Sequence, residues 1–258
     1  MMARESKKAP ARGGINWRLT FAILVFGAIG VSTAVAGYKV SLYVASDPQF
    51  ILSSERKDSV TILGLTYASR AKVQRIFAGD FDRSIFSVPL AERRRRLLGI
   101  DWVEDASVSR VWPDRLVIRI RERKPVAFVS FRSGPLLIDS QGVLLEQPVQ
   151  AQFSFPVLSG VREEQTESDR RRHVRVFLRL QEELGALAKE VSEVDARDPE
   201  NIRIISQVDQ QVVTLMLGDG NYAQRFQNFL SHYGEIRKGS PVAKVFDLRL
   251  DGRITVKE

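Results

Sequence analysis

The chain has 258 residues and no cysteine, which excludes disulfides, thiolate metal sites and cysteine nucleophiles. Its net charge is +8, and half of that excess sits in residues 1–18, where Arg4, Lys7, Lys8, Arg12 and Arg18 oppose only Glu5. The remaining +4 is ordinary for a chain of this size and needs no nucleic acid to explain it.

From Leu19 to Tyr38 no residue is charged. Twenty helical residues at about 1.5 Å each give about 30 Å, the thickness of the hydrocarbon core of a bilayer. Residues 19–38 are therefore predicted to form one continuous transmembrane helix, because no other backbone conformation bonds all its amides inside lipid. Trp17 and Tyr38 stand at its ends, where amphipathic rings favour the interface. Positive charge on the N-terminal side predicts a cytoplasmic tail over 1–18 and translocation of the rest, a single-pass type II arrangement. A rival reading places signal-peptidase cleavage after Ala34-Val35-Ala36. The uncharged run exceeds a usual signal-peptide core of about 7–15 residues, which favours retention. Residues 39–57 then serve as a linker.

Residues 58–125 read as a first module. Val60-Thr61-Ile62 is a short strand ended by Gly64. Ser69 caps a helix reaching about Phe77, with Val73, Ile76 and Phe77 on one face. A second helix starts near Pro89. Leu90, Leu97 and Leu98 form its buried stripe, and Arg93, Arg94, Arg95 and Arg96 form a solvated face. Strands follow at Ala106–Val111 and Leu116–Arg121 around the turn Trp112-Pro113-Asp114-Arg115. The order is β-α-α-β-β, a small sheet with two helices on one face. Trp102, Trp112 and Pro113 are expected to fill its core and shape its hairpin.

Residues 126–258 read as a second, mixed α/β module. Val126–Phe131 is a strand, and Leu136–Asp139 and Val143–Leu145 form a hairpin around Ser140-Gln141-Gly142. Val174, Phe177, Leu178, Leu184 and Leu187 recur at helical spacing. Strands are expected near Val191–Val194, Ile202–Ile205 and Val212–Leu217. A second helix carries Tyr222, Phe226, Phe229, Leu230 and Tyr233, an aromatic stripe that suits a core. The chain closes on two extended runs around Asp251-Gly252, which predict a tight hairpin with a type I′ turn. A terminal hairpin leaves one strand at the sheet edge, where a partner can add its own.

Several runs, in order, resemble the FtsQ/DivIB family of bacterial cell-division proteins. The first are Trp102-Val103-Glu104-Asp105-Ala106, Arg110-Val111-Trp112-Pro113 and Glu122-Arg123-Lys124-Pro125-Val126-Ala127, which resemble its POTRA domain. Leu137–Val143, Phe155–Gly160 and Phe246-Asp247-Leu248-Arg249 are similar to its later landmarks. The resemblance implies an α+β fold, with one transmembrane helix, a POTRA domain and a β-rich C-terminal domain. It implies a non-enzymatic divisome scaffold, enriched at the septum, that binds FtsB and FtsL and links early and late division proteins to septal wall synthesis. The partner FtsB would add a strand at the C-terminal edge, with Leu248, Arg249, Leu250, Asp251 and Gly252 lining the contact. Arg249 would then pair with a partner carboxylate. The Arg93–Arg96 run becomes a candidate recruitment patch. Asp219 departs from relatives that carry a basic residue there and is given no role.

Catalysis finds little support. His173 and His232 stand on separate helices without metal-ligand spacing, and no nucleophile elbow, P-loop or dinucleotide fingerprint is present. No cofactor, metal or small-molecule substrate is expected. An exported enzyme or wall-binding module, and a POTRA-bearing chaperone of a secretion system, remain the competing classes. The first needs a pocket with convergent polar groups, and the second needs tandem modules or a barrel.

Overall fold

The structure is a computed structural model that describes residues 17–56 and 58–257. The basic tail, apart from Arg18, lies outside the described residues. Helix α1 spans Trp17–Ser46 and contains the apolar stretch Phe21–Val40, long enough to cross a membrane. The described side chains of that stretch are exposed all round, as a helix solvated by lipid requires. The helix runs eight residues past the expected end at Tyr38. Lys39 is the only charge before Asp47, and no helix breaker intervenes until Pro48. Asp47 is extended, as the residue before a proline prefers, and the chain leaves the helix there.

The POTRA-like part contains β1 (Val60–Leu63), α2 (Arg70–Phe77), α3 (Leu90–Leu97), β2 (Val103–Val111) and β3 (Arg115–Glu122). Its sheet has the order β1-β3-β2, and the β-α-α-β-β succession is as read from the sequence. Ser69 caps α2 by accepting the Lys72 N–H. The larger sheet has nine strands. They are β4 (Pro125–Phe131), β5 (Gly134–Asp139), β6 (Leu144–Leu145), β7 (Val157–Ser159), β8 (Val191–Asp195), β9 (Ile202–Val208), β10 (Gln211–Gly218), β11 (Val245–Asp247) and β12 (Thr255–Lys257). Their order is β12-β11-β10-β9-β8-β7-β4-β5-β6, so the last strand of the chain is an edge.

Helices α4 (Glu167–Leu184) and α5 (Tyr222–Gly239) supply one side of the core on that sheet. Thr166 caps α4 through the Asp169 N–H, and Glu167 and Asp169 sit in its first turn, where the helix dipole favours negative charge. The Glu183 carboxylate of α4 accepts the Tyr222 N–H at 2.6 Å and so closes the start of α5. The aromatic stripe of α5 is core: Tyr222, Phe226, Phe229 and Tyr233 are buried, and Phe229 and Tyr233 pack on Phe246 of β11.

By contact the chain forms two compact units, one from Met1–Thr61, Gly79–Pro89 and Ser109–Val117, the other from Ile62–Ala78, Leu90–Val108 and Ile118–Glu258. In the first, Phe50, Leu52, Ile85, Val88 and Leu116 are buried. The chain just beyond α1 is bonded to the turn before Ile85. The Leu52 N–H donates to Arg83 O, the Asp82 N–H donates to Leu52 O, and Ile51 bridges Ser84. Trp112 departs from expectation. It is 64% exposed and packs edgewise on Phe50 and Phe86 instead of filling the core.

In the second unit, Val73, Phe77, Leu97, Val103, Ile118 and Ile120 are buried, and so is Trp102, whose indole N–H donates to Glu146 O. Glu122 accepts the N–H groups of Thr66, Tyr67 and Ala68 at 2.7–2.9 Å, which explains a carboxylate at the end of β3. Arg123 bridges to the buried Asp139 at 2.9 Å and to Asp101 O. The arginine run of α3 is not one solvated face. Arg93 is buried, Arg94 binds Asp105 and Ala106 O, and Arg96 binds Glu92. Position 93 falls on the same side as Leu97, four residues on, so a helix of this period must bury it. Only Arg95 of the four is exposed without an ionic partner among the described residues.

Candidate functional site: the C-terminal sheet edge

Strands β11 and β12 pair antiparallel, with Val245 opposite Lys257, Phe246 opposite Val256 and Asp247 opposite Thr255. The expected two-residue type I′ hairpin does not form. Seven residues, Leu248–Ile254, separate the strands. The Leu248 N–H donates to Met216 O, which carries the chain one residue further along β10 before it turns. The Asp251-Gly252 pair does make a turn, closed by the Arg253 N–H on Leu250 O. Its only positive φ is at Gly252, +72°, whereas a type I′ turn needs one at both central positions.

The direction of each backbone group at the edge follows from the ladder. Strand β11 runs parallel to β10, where Thr214 N–H donates to Lys244 O and Leu248 N–H donates to Met216 O. Alternate residues of a strand bond to opposite neighbours, so Lys244, Phe246 and Leu248 address β10, while Val245 and Asp247 address β12. Their partners Lys257 and Thr255 therefore point inward. Val256 points its N–H and C=O outward at the open edge. Its side chain shares the face of Phe246, its cross-strand partner.

The connecting loop is pinned from two sides. Asp247 is buried and accepts the Arg249 backbone N–H at 3.2 Å, Arg249 Nε at 2.9 Å, Arg249 Nη2 at 2.7 Å and Lys257 Nζ at 3.2 Å. Arg249 also reaches Asn201 Oδ1 at 3.0 Å. On the helix side, Arg225 of α5 donates to Asp251 at 3.0 Å and to Leu217 O at 2.5 Å. Between α5 and the loop lies an open groove of about 390 Å³, lined by Gln227, Asn228, Ser231, Leu250, Gly252 and Ile254, among others.

The five residues singled out in the sequence thus have different surroundings. Leu248 is buried at 3% exposure, and Arg249 already holds a carboxylate of its own chain. Leu250 is exposed at 62% and faces the groove, as do Asp251 and Gly252. Sequence reasoning named Asp247 only as part of a family landmark and gave no role to it, to Arg225 or to Val256. Asp247 had a local signal, the Asp-x-Arg spacing that lets a carboxylate accept the N–H two residues on. Arg225 and Val256 had none, because their roles depend on strand order.

The Arg249 guanidinium holds the Asp247 carboxyl well below the usual carboxylate range, helped by the Arg249 N–H and Lys257 and opposed by burial. A carboxyl depressed in the folded state adds stability at neutral pH and loses it as pH falls below the unfolded value of about 3.9. Asp247→Asn is therefore expected to loosen β11 and β12 by about 1–2 kcal/mol at pH 7. Loss of hydrogen-exchange protection at the Thr255–Lys257 amides reads this. The parent chain should lose protection there progressively as the pH falls below about 4, short of the full effect until the depressed range of Asp247 is reached.

The two histidines bond to backbone carbonyls, His173 Nδ1 with Ala196 O and His232 Nδ1 with Asn228 O, both at 2.9 Å. Among the described residues no cluster of three or more His, Asp or Glu is arranged to hold a metal.

An apolar helix, a β-α-α-β-β module and a β-rich domain ending on an open edge define a membrane-anchored protein of the POTRA class. Comparison with known proteins gives the particular family. Residues 57–123 match the FtsQ-type POTRA domain, and residues 127–249 match the C-terminal domain of cell division protein FtsQ/DivIB. The cell division protein FtsQ of Koribacter versatilis is 34% identical over 97% of this chain and 75% of its own length. That of Novosphingobium aromaticivorans is 30% identical over 93% and 74%. That of Bordetella pertussis is 34% identical over 44% of each chain. The chain belongs to the FtsQ/DivIB family of cell-division proteins.

Proposed function

We propose that this chain is a divisome scaffold whose C-terminal edge captures FtsB, and through it FtsL, by strand addition. The apolar helix holds it in the inner membrane, with the basic N-terminus in the cytoplasm and the folded bulk in the periplasm at the septum. By holding these partners it links early and late division proteins and influences septal wall synthesis. The observation that carries this reading is the outward-facing backbone of Val256 on the edge strand β12. An unpaired edge is the feature that β-augmentation uses, and proteins without such a partner usually protect it. The groove beside Leu250 and Gly252 suits side chains that flank an added strand. In this reading Leu250, Asp251 and Gly252 touch the partner, while Leu248 and Arg249 hold the loop behind them. Arg94–Arg96 remain the recruitment surface, with Arg95 its outward cation.

The test is Val256→Pro. Proline removes one N–H and adds a ring where the amide was. At Val256 that N–H faces outward, so no ladder bond within the chain is lost. Thermal unfolding is expected to stay within a few degrees of the parent, and co-purification of the FtsB–FtsL pair is expected to fall at least about tenfold. Undiminished co-purification in a folded variant rejects strand addition.

A further inference from the structure

The first compact unit contains α1 and the turns at 48–50 and 85–87, both packed against the helix. Helix α1 has 30 residues, hence a length of about 45 Å, which matches a bilayer measured across both headgroup layers. With Trp17 at one interface, the last turn of α1 reaches the other. The 84–87 turn is bridged to Ile51, five residues past the end of the helix, and so adjoins those headgroups.

What this unit exposes there is selective. Beyond Val40, the exposed large apolar groups among its described side chains are Tyr43 at 62%, Phe86 at 37% and Trp112 at 64%, and all three are aromatic. Phe86 and Trp112 form one face with Phe50 beneath them, at ring separations of 5.1–5.9 Å. The loop presenting Phe86 is held rigidly, because the Arg110 guanidinium donates to the carbonyls of Ile85, Phe86 and Val88 at 2.6–3.2 Å. These bonds preorganise the face. Charge does not account for it: beyond Val40 the unit carries five basic and six acidic residues, which gives an anionic surface no net attraction.

We infer that the Phe86–Trp112 face is a membrane-interface anchor that inserts its rings into the headgroup zone where α1 emerges. Tryptophan and phenylalanine on a rigid turn suit that zone, in which an apolar ring body meets a wet, polar layer. The anchor gives this unit a second point of attachment to the membrane besides α1. It rests on α1 crossing the bilayer.

The test uses the full chain reconstituted in neutral phosphatidylcholine vesicles whose acyl chains are brominated next to the headgroup, in high salt. The chain has three tryptophans, and the emission of each interfacial one is obtained by difference from Trp17→Phe and Trp112→Phe. The expected result is bromine quenching of Trp112 comparable with that of Trp17. Quenching of Trp17 with Trp112 unaffected overturns the inference and leaves the face to a protein partner. Quenching of Trp112 only on anionic vesicles, and lost in salt, overturns insertion in favour of surface attraction. If neither is quenched, α1 does not span, and the inference falls together with that reading.

Discussion

Gly64→Ala is expected to destabilise the folded part by about 3–5 kcal/mol, the sum of backbone strain and a steric overlap that the strand must relieve by moving. Gly64 follows β1 with φ +82°, a region that side chains rarely tolerate. A Cβ built there would stand 2.0 Å from the Ile120 carbonyl oxygen of β3. That oxygen belongs to a strand and not to a side-chain tip, so no rotamer change relieves the overlap. Urea unfolding of the purified chain measures the loss, as a lower midpoint with an unchanged slope. A shift under about 1 kcal/mol would mean that β1 and β3 separate here more easily than their pairing implies.

Asp139→Ala carries the second large effect, about 3–5 kcal/mol. The carboxylate is 4% exposed and accepts Arg123 Nη1 at 2.9 Å, the Gln141 N–H at 2.9 Å and the Val143 N–H at 2.8 Å. Alanine leaves two turn amides unpaired and an arginine, itself only 18% exposed, without its counter-charge. Asp139→Asn separates these contributions: it keeps an acceptor for the turn amides and loses the ion pair, so it should fall between the parent and alanine in the same urea titration. Neither variant touches β12. The folded fraction should therefore hold partners at the sheet edge as the parent does, which distinguishes a stability defect from a binding one.

Much of this was legible in the sequence because it depends on neighbours along the chain. The uncharged run after Trp17, the cap at Ser69, the alternation through Leu116, Ile118 and Ile120, and the aromatic stripe of α5 are local patterns. The structure carries each of them. Asp139, Glu122 and Arg123 were visible only as landmarks of a family resemblance. Their physical work is across the fold, in a buried ion pair and a carboxylate that gathers three amides.

The misreadings have a common cause. Trp112 was assigned to the core because large aromatics usually are buried, yet its position at the tip of a hairpin leaves it exposed. Arg93 was assigned to solvent with its three neighbours, yet one residue in four of any short helix must face inward. Asp251-Gly252 was read as a two-residue hairpin, yet Leu248 still pairs with β10 before the chain turns, so the loop had to lengthen.

By itself the sequence determined that an apolar helix leads into a β-α-α-β-β module and a second mixed module, since hydrophobic length and periodicity act over a few residues. The family resemblance marked the first of these as a POTRA domain. The sequence also marked the C-terminus as the region where an edge would lie. Only the tertiary structure decided what that edge presents. Whether Val256 or Thr255 faces outward is set by the parallel pairing of β11 with β10, two strands separated by the whole of α5. Shifting that register by one residue would exchange their roles, and nothing in the local sequence around Val256 records which register the sheet adopts.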